Sequence, residues 1–303
     1  MNKILQGDAL EVLTTLKSES IDCVITSPPY WGLRDYGVKG QLGLEKTPEE
    51  YVAKMVEVFR EVKRVLKKEG CAWLNLGDTY AGGGRGGDPK HLKGDNSAEA
   101  TAESYKGIPA KNLVGIPWMV AFALQKDGWI LRQDIIWSKP NPIPESVTDR
   151  CTKAHEYIFL LAKSSKYYFD NEAIKEPYTA PMNRWGGQRL KADGESTWDK
   201  GTGQETYRDR DMRPDPNGRN KRSVWTITTK PFKDAHFATF PEDLIVPMVK
   251  AGCPENGVCL DPFIGSGTTA VVARKLGRKY IGIELSGEYI KMAEKRLAQQ
   301  ILI

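Results

Sequence analysis

Val258-Cys259-Leu260-Asp261-Pro262-Phe263-Ile264-Gly265-Ser266-Gly267-Thr268-Thr269, continued by a helical stretch and then by Tyr280-Ile281-Gly282-Ile283-Glu284, is the segment on which the fold turns. A short apolar run, a glycine-rich turn, a helix from Thr269 to Leu276 and a second apolar run closed by a carboxylate make the layout of a nucleotide-cofactor half-site. Gly265 and Gly267 let the backbone approach a ligand closely, and the helix behind them offers unpaired N–H groups. Glu284 is placed to accept hydrogen bonds from ribose hydroxyls. No lysine follows the glycines as in a GK[ST] phosphate loop, which disfavours a nucleoside triphosphate.

Outward from this unit the same alternation recurs. Lys3-Ile4-Leu5, the amphipathic stretch Ala9 to Leu16 and the run Ile21 to Thr26 read as strand, helix, strand. Behind Thr47 as N-cap and Pro48 at the first helical position, Tyr51, Met55, Val58, Phe59, Val62, Val65 and Leu66 recur at three- and four-residue spacing, predicting a helix that ends near Gly70. Cys71 to Leu76 follows as a buried strand. Val114 to Gln125 reads as a helix, Trp129 to Trp137 and Glu156 to Ala162 as strands with a short piece at Lys166 to Phe169, and Pro241 to Lys250 and Gly287 to Gln300 as helices. The expected architecture is one doubly wound, Rossmann-like α/β domain spanning 1–303. Two stretches break the pattern. Residues 81–111 open with Gly82-Gly83-Gly84-Arg85-Gly86-Gly87 and carry no hydrophobic period, so a mobile loop is expected. Residues 171–234, where Gly, Pro, Asp and Arg multiply, read as an insert with its own task or as a disordered segment, with ten Lys and Arg against seven acids between Asn183 and Arg222.

The whole chain of 303 residues is 40% hydrophobic, enough for a sizeable core, and its composition excludes collagen-like and low-complexity classes. No stretch approaches the roughly 18 apolar residues of a membrane span, and the start turns polar too early for a signal peptide, so a cytoplasmic protein away from membranes is expected. Its five cysteines are scattered without a CxxC pair, which suggests reduced, mostly buried thiols rather than a disulfide framework or a zinc site. The net charge of +5 is too mild to identify a nucleic-acid partner by itself.

The second informative stretch is Thr26-Ser27-Pro28-Pro29-Tyr30-Trp31, where two prolines end sheet pairing and force a loop at a strand's carboxyl end. An ordinary proline turn is the bland reading. The chemical reading uses every residue: rigid carbonyl acceptors, the Ser27 hydroxyl beside them and an aromatic ring overhead suit an exocyclic amine. If Ser27 Oγ and the Pro28 carbonyl accept the amine hydrogens, its nitrogen can become tetrahedral and nucleophilic. Tyr30 would stack on an extruded base.

SPPYW together with DPFIGSGTT resembles the S-adenosylmethionine-dependent amino-methyltransferases of DNA that modify cytosine N4 or adenine N6. The order, acceptor tetrapeptide before cofactor loop with a recognition region between, is that of their permuted beta group, and the likeness runs from Gly7 to Leu297. It implies that Ser27, Pro28, Pro29 and Tyr30 are catalytic. It further implies that Asp261, Phe263, Gly265, Ser266, Gly267 and Thr268 form the methionine-side loop, with Glu284 on the ribose and Asp8 near the adenine. Thr239-Phe240-Pro241 resembles the family segment that helps hold the methionine moiety. Trp137 to Pro142 and His155-Glu156-Tyr157 resemble the family's middle region, to which no chemistry is assigned.

The implied activity is methyl transfer in line, without a covalent enzyme intermediate, to a base flipped from double-stranded DNA. None of the five cysteines lies in the acceptor loop, as carbon-5 cytosine chemistry would need. The basic insert is expected to recognise the target, with arginines on phosphates or guanine edges. Serine at the first tetrapeptide position leans to cytosine N4, and adenine N6 stays open. An RNA or protein amino-methyltransferase, or a DNA-binding module that has lost activity, are the other classes; intact Ser27, Tyr30, Gly265, Gly267 and Glu284 argue against the last. A homodimer is possible.

Overall fold

A computed structural model of the chain describes residues 2–33, 35, 37–38, 40–81, 108–178, 215, 217–229 and 240–299. Most of the glycine-rich stretch 81–111, the centre of the insert 171–234, and Thr239 lie outside the described residues. Eight strands form one sheet: β1 (Lys3–Gln6), β2 (Ile21–Thr26), β3 (Leu66–Leu76), β4 (Ile130–Ser138), β5 (His155–Ala162), β6 (Val224–Thr226), β7 (Val258–Asp261) and β8 (Lys279–Glu284). The order across the sheet is β1-β8-β7-β2-β3-β5-β4-β6. Every pairing is parallel except those of β5, which runs against both β3 and β4.

Central strands are buried on both faces, and β2 shows how. Val24 belongs to the core formed with α1 (Ala9–Thr15), α2 (Pro48–Val65) and α3 (Ile116–Lys126), while its neighbours Cys23 and Ile25 are equally buried on the opposite face. That face is covered by α4 (Glu242–Gly252), whose Gly252 sits so close to Trp73, Cys23 and Cys71 that a Cβ would fall 2.5–2.9 Å from them. Helix α5 (Thr268–Lys275) packs beside α4, and α6 (Gly287–Gln299) beside α5. Cys23, Cys71, Cys253 and Cys259 are buried as free thiols, and Cys151 is exposed. Among the described residues no helix is long and apolar enough to cross a membrane.

Three sequence expectations are corrected. Helix α2 stops at Val65, not near Gly70, because Leu66 is already extended, fully buried and paired with Ile21 of β2. Gly70 lies within β3, where a Cβ would meet the Leu66 side chain at 2.6 Å and the Asp22 carbonyl at 2.9 Å; it marks a close approach rather than a helix stop. Lys166 to Phe169 is not a strand: single bonds from Tyr168 N–H to the Glu69 carbonyl and from Asp170 N–H to that of Ala251 hold it down. Finally, the insert is shorter than 171–234. Val224–Thr226 pairs with Ile136, Trp137 and Ser138, and Trp225 is a core residue.

Asn171–Arg222 is a separate compact unit. In its described part a 3-10 turn (Glu172–Ile174) leads to an antiparallel bridge between Glu176 and Arg219. The Glu176 carboxylate gathers Arg219, Lys221 and Arg222 at 3.2–3.5 Å, and Lys175 pairs with Glu172 and Asp215. Three cations of the basic stretch are therefore engaged with one carboxylate.

Candidate active site

Parallel strands deliver their carboxyl ends to one edge, and this edge collects both sequence constellations. Val24 of β2 pairs with Leu260 of β7, and Asp261 of β7 with Gly282 of β8, so the loops after Thr26, Asp261 and Glu284 are neighbours. The reversed β5 contributes its beginning instead of its end: Tyr157 lies opposite Leu76, and Glu156 opposite Trp137.

In the cofactor half, Gly267 caps α5 in the left-handed region at φ +84, with Ala293 of α6 so near that a Cβ would meet its Cβ at 2.7 Å. Gly265, also left-handed at φ +50, has nothing within 4 Å of where a Cβ would stand, and its N–H donates to Glu284 Oε2 at 2.9 Å. Glu284 Oε1 accepts from Ser286 N–H at 2.9 Å. Burial raises the Glu284 carboxyl above its ordinary range, against the pull of the Ser286, Gly265 and Leu285 N–H groups. An open backbone face at Gly265 beside a half-buried carboxylate with spare lone pairs fits a ligand carrying vicinal hydroxyls. Asp8 stands at the end of β1, where Gly7 N–H bonds the Glu284 carbonyl at 3.0 Å and Asp8 Oδ1 caps α1 through Glu11 N–H.

Other matched residues face inward. Asp261 is fully buried and accepts from Thr26 Oγ1 and Thr269 Oγ1, each at 2.7 Å, and from Phe263 N–H at 3.1 Å. Desolvation pushes its carboxyl up to about 6 despite those three donors. It joins the strand leading into the acceptor loop to the helix of the cofactor loop. Ser266 and Thr268 are buried too, and their hydroxyls accept from Arg296 of α6 at 3.1 and 3.0 Å. Phe263 packs half-buried against the core. Pro241 is buried as the N-cap of α4, with Phe240 half-buried before it.

In the acceptor half, three successive loop carbonyls have different fates. Tyr51 Oη donates to that of Pro29 at 2.9 Å and Leu33 N–H to that of Tyr30 at 3.4 Å, whereas the Pro28 carbonyl has no donor among the described residues. The Tyr30 ring lies against Gly77 at the end of β3, where a Cβ would intrude to 2.6 Å. Ser27 Oγ is 3.2 Å from Tyr30 Oη, which reaches Glu156 Oε2 at 2.7 Å. Asn75 Nδ2 donates to the same Glu156 oxygen at 3.1 Å, and Lys139 Nζ ion-pairs with the other. Asp78 caps α3 through the Gly115 and Ile116 N–H groups. Sequence reasoning missed Asn75, took Tyr51 only as a position of its helix, and gave Lys139 and Glu156 no task. The available signal was a carboxylate near the start of an otherwise apolar strand.

The N6/N4 DNA methylase family profile matches residues 21–295. The Type II methyltransferase M.SmaI of Serratia marcescens is 46% identical over 303 residues, covering 98% of this chain and 91% of its own length. Two solved structures share the fold. PvuII DNA methyltransferase (cytosine-N4-specific) has a TM-score of 0.66 at 20% identity, covering 98% of this chain and 86% of its own. A putative DNA modification methylase from Thermus thermophilus, complexed with S-adenosyl-L-methionine, has a TM-score of 0.62 at 24% identity, with 99% and 95% covered.

Proposed function

The chain belongs to the N6/N4 DNA methylase family and is an S-adenosylmethionine-dependent DNA methyltransferase, and we propose that it methylates cytosine N4 in double-stranded DNA at a base held by Ser27 and Pro28. One observation carries the site reading: the hydrogen bond from Thr26 to Asp261 fastens the acceptor loop to the donor loop at the ends of two directly paired strands. Neighbouring strands lie about 4.8 Å apart, so the acceptor loop that begins at Ser27 and the cofactor loop that carries Gly265 leave the sheet side by side.

Bound S-adenosylmethionine supplies a methyl group on a sulfonium that leaves as a neutral thioether. The chain's own residues do the rest. Gly265 gives the cofactor backbone room, Glu284 accepts its ribose hydroxyls, and Asp8 stands at the adenine side. Asp261, Ser266 and Thr268 act from inside the loop, fixing its shape through Thr26, Thr269 and Arg296. Ser27 Oγ and the Pro28 carbonyl accept the hydrogens of the target amine, so that its lone pair leaves conjugation with the ring. Tyr30 flanks the base, and Pro29, anchored by Tyr51, keeps the loop rigid. The insert 171–222 reads the target sequence. Thr239, Phe240 and Pro241 border the methionine end.

Serine at position 27 supports cytosine over adenine, since members of the family with serine there lean to cytosine N4, and the PvuII enzyme with the same fold is cytosine-N4-specific. Incubation with labelled S-adenosylmethionine and mixed-sequence duplex DNA, followed by nucleoside mass spectrometry, tests this. N4-methylcytosine is expected; N6-methyladenine would overturn the base assignment.

A further inference from the structure

Hydrogen-bond direction along the acceptor half is fixed from one end. Glu156 faces three donors: Lys139 Nζ at Oε1, and Tyr30 Oη and Asn75 Nδ2 at Oε2. An ammonium and an amide nitrogen only donate, so the carboxylate is held as a pure acceptor. A phenol has one hydrogen, and the charged oxygen at 2.7 Å takes it in preference to Asn75 Oδ1 at 3.3 Å. Burial and the Glu156 charge push the Tyr30 phenol well above its ordinary range, so that hydrogen stays in place. Tyr30 Oη can then only accept from Ser27 Oγ, 3.2 Å away.

We propose that Glu156, fixed by Lys139 and Asn75, is a positioning residue for methyl transfer: through Tyr30 it turns the Ser27 hydrogen inward, so that Ser27 meets the target amine with lone pairs only. A serine hydroxyl left to rotate would for part of the time point its hydrogen at the amine's own hydrogens. The device rests on the reading that Ser27 receives the amine, and it makes a serine behave as a dedicated acceptor without a charge of its own.

The test reverses the polarity without changing the shape. In Glu156→Gln, Lys139, a charged donor, claims the amide oxygen in preference to the neutral Asn75 amide and leaves the NH2 group facing Tyr30. The Tyr30 hydrogen must then turn elsewhere and no longer holds Ser27 as an acceptor. The expected result is a kcat lowered about tenfold to a hundredfold, with KM for S-adenosylmethionine and for DNA within about twofold of the parent. Adding Lys139→Met lets the amide rotate and present its oxygen to Tyr30, so the double variant recovers most of the lost rate. Tyr30→Phe cuts the chain and lowers kcat similarly, and Glu156→Gln costs nothing further in that background. Parent-like kcat in Glu156→Gln, or a double variant slower than Glu156→Gln alone, overturns the proposal. If Glu156→Gln does not fold, Tyr30→Phe decides it: unchanged kcat is the overturning result. Ser27→Ala separates the two levels. Full turnover there removes the site reading itself, whereas loss there with unimpaired Tyr30→Phe and Glu156→Gln removes only the role of Glu156.

Discussion

Asp261 is a carboxylate sealed from solvent between two threonines, and its acidity makes that position measurable. Its folded carboxyl titrates at about 6 against an ordinary 3.8, so the native state holds this proton more tightly than the unfolded chain does. The native state is therefore favoured at this position below the unfolded value and loses about 3 kcal/mol as pH rises from about 4 through 6. Asp261→Asn keeps the shape and never ionises. In urea denaturation its stability relative to the parent should climb by that amount between pH 4 and 7, and a flat difference would show that Asp261 is not desolvated as described. Ser27→Ala belongs to the same scale: the amine loses one acceptor, and kcat should fall at least about a hundredfold with S-adenosylmethionine affinity kept, as read by single-turnover kinetics and calorimetry. Sequence alone could mark Asp261, Ser266 and Thr268 as members of a motif. It could not tell that their oxygens point at Thr26 and Arg296, because those partners come from distant elements of the fold.

Among the elements, the turn between β7 and α5 separates two uses of glycine. At Gly267 a left-handed backbone and Ala293 both exclude a side chain, so Gly267→Ala should cost about 2–4 kcal/mol in a denaturation midpoint. At Gly265 only the backbone objects, and Gly265→Ala should cost about 1 kcal/mol while placing a methyl group on the open face. Its clearer effect should be a raised KM for S-adenosylmethionine, checked by equilibrium binding; unchanged binding would take the cofactor off that face. Most elements were legible from period and caps, since Thr47 and Pro48 do start α2 and the glycine-rich turn does precede α5. The junction of α2 and β3 was not. Leu66 continues the helical spacing of its neighbours, yet its burial against Ile21 belongs to the sheet, and local pattern cannot weigh a contact 45 residues away.

For the molecule as a whole, the doubly wound sheet followed from alternating strands and helices. The reversal of β5 did not, because an apolar run carries no record of its direction. Nor did the place of Trp225, a lone aromatic in a polar stretch that closes the sheet as part of β6. The insert invites a measurement at this scale. If its basic residues neutralise phosphates, replacing Arg208, Arg210 and Arg213 by Gln should flatten the dependence of log affinity on log salt by about 0.9 for each phosphate no longer neutralised, in titrations with duplex DNA. An unchanged slope would take those arginines off the phosphates.

The pairing of β2 with β7 sets a timetable for synthesis. Thr26 and Asp261 stand 235 residues apart, so a ribosome adding about 5–20 residues each second exposes one flank of a central strand for roughly ten to fifty seconds before its neighbour emerges. β3 can cover the other flank early, and Asp22 waits with Lys67 until the Val258 N–H arrives. A nascent chain arrested between β3 and β7 thus carries a complete SPPY loop with β3 on one side and no strand of the cofactor loop on the other. Such fragments should depend on chaperones, and methylating activity should switch on only after β7 and β8 have emerged.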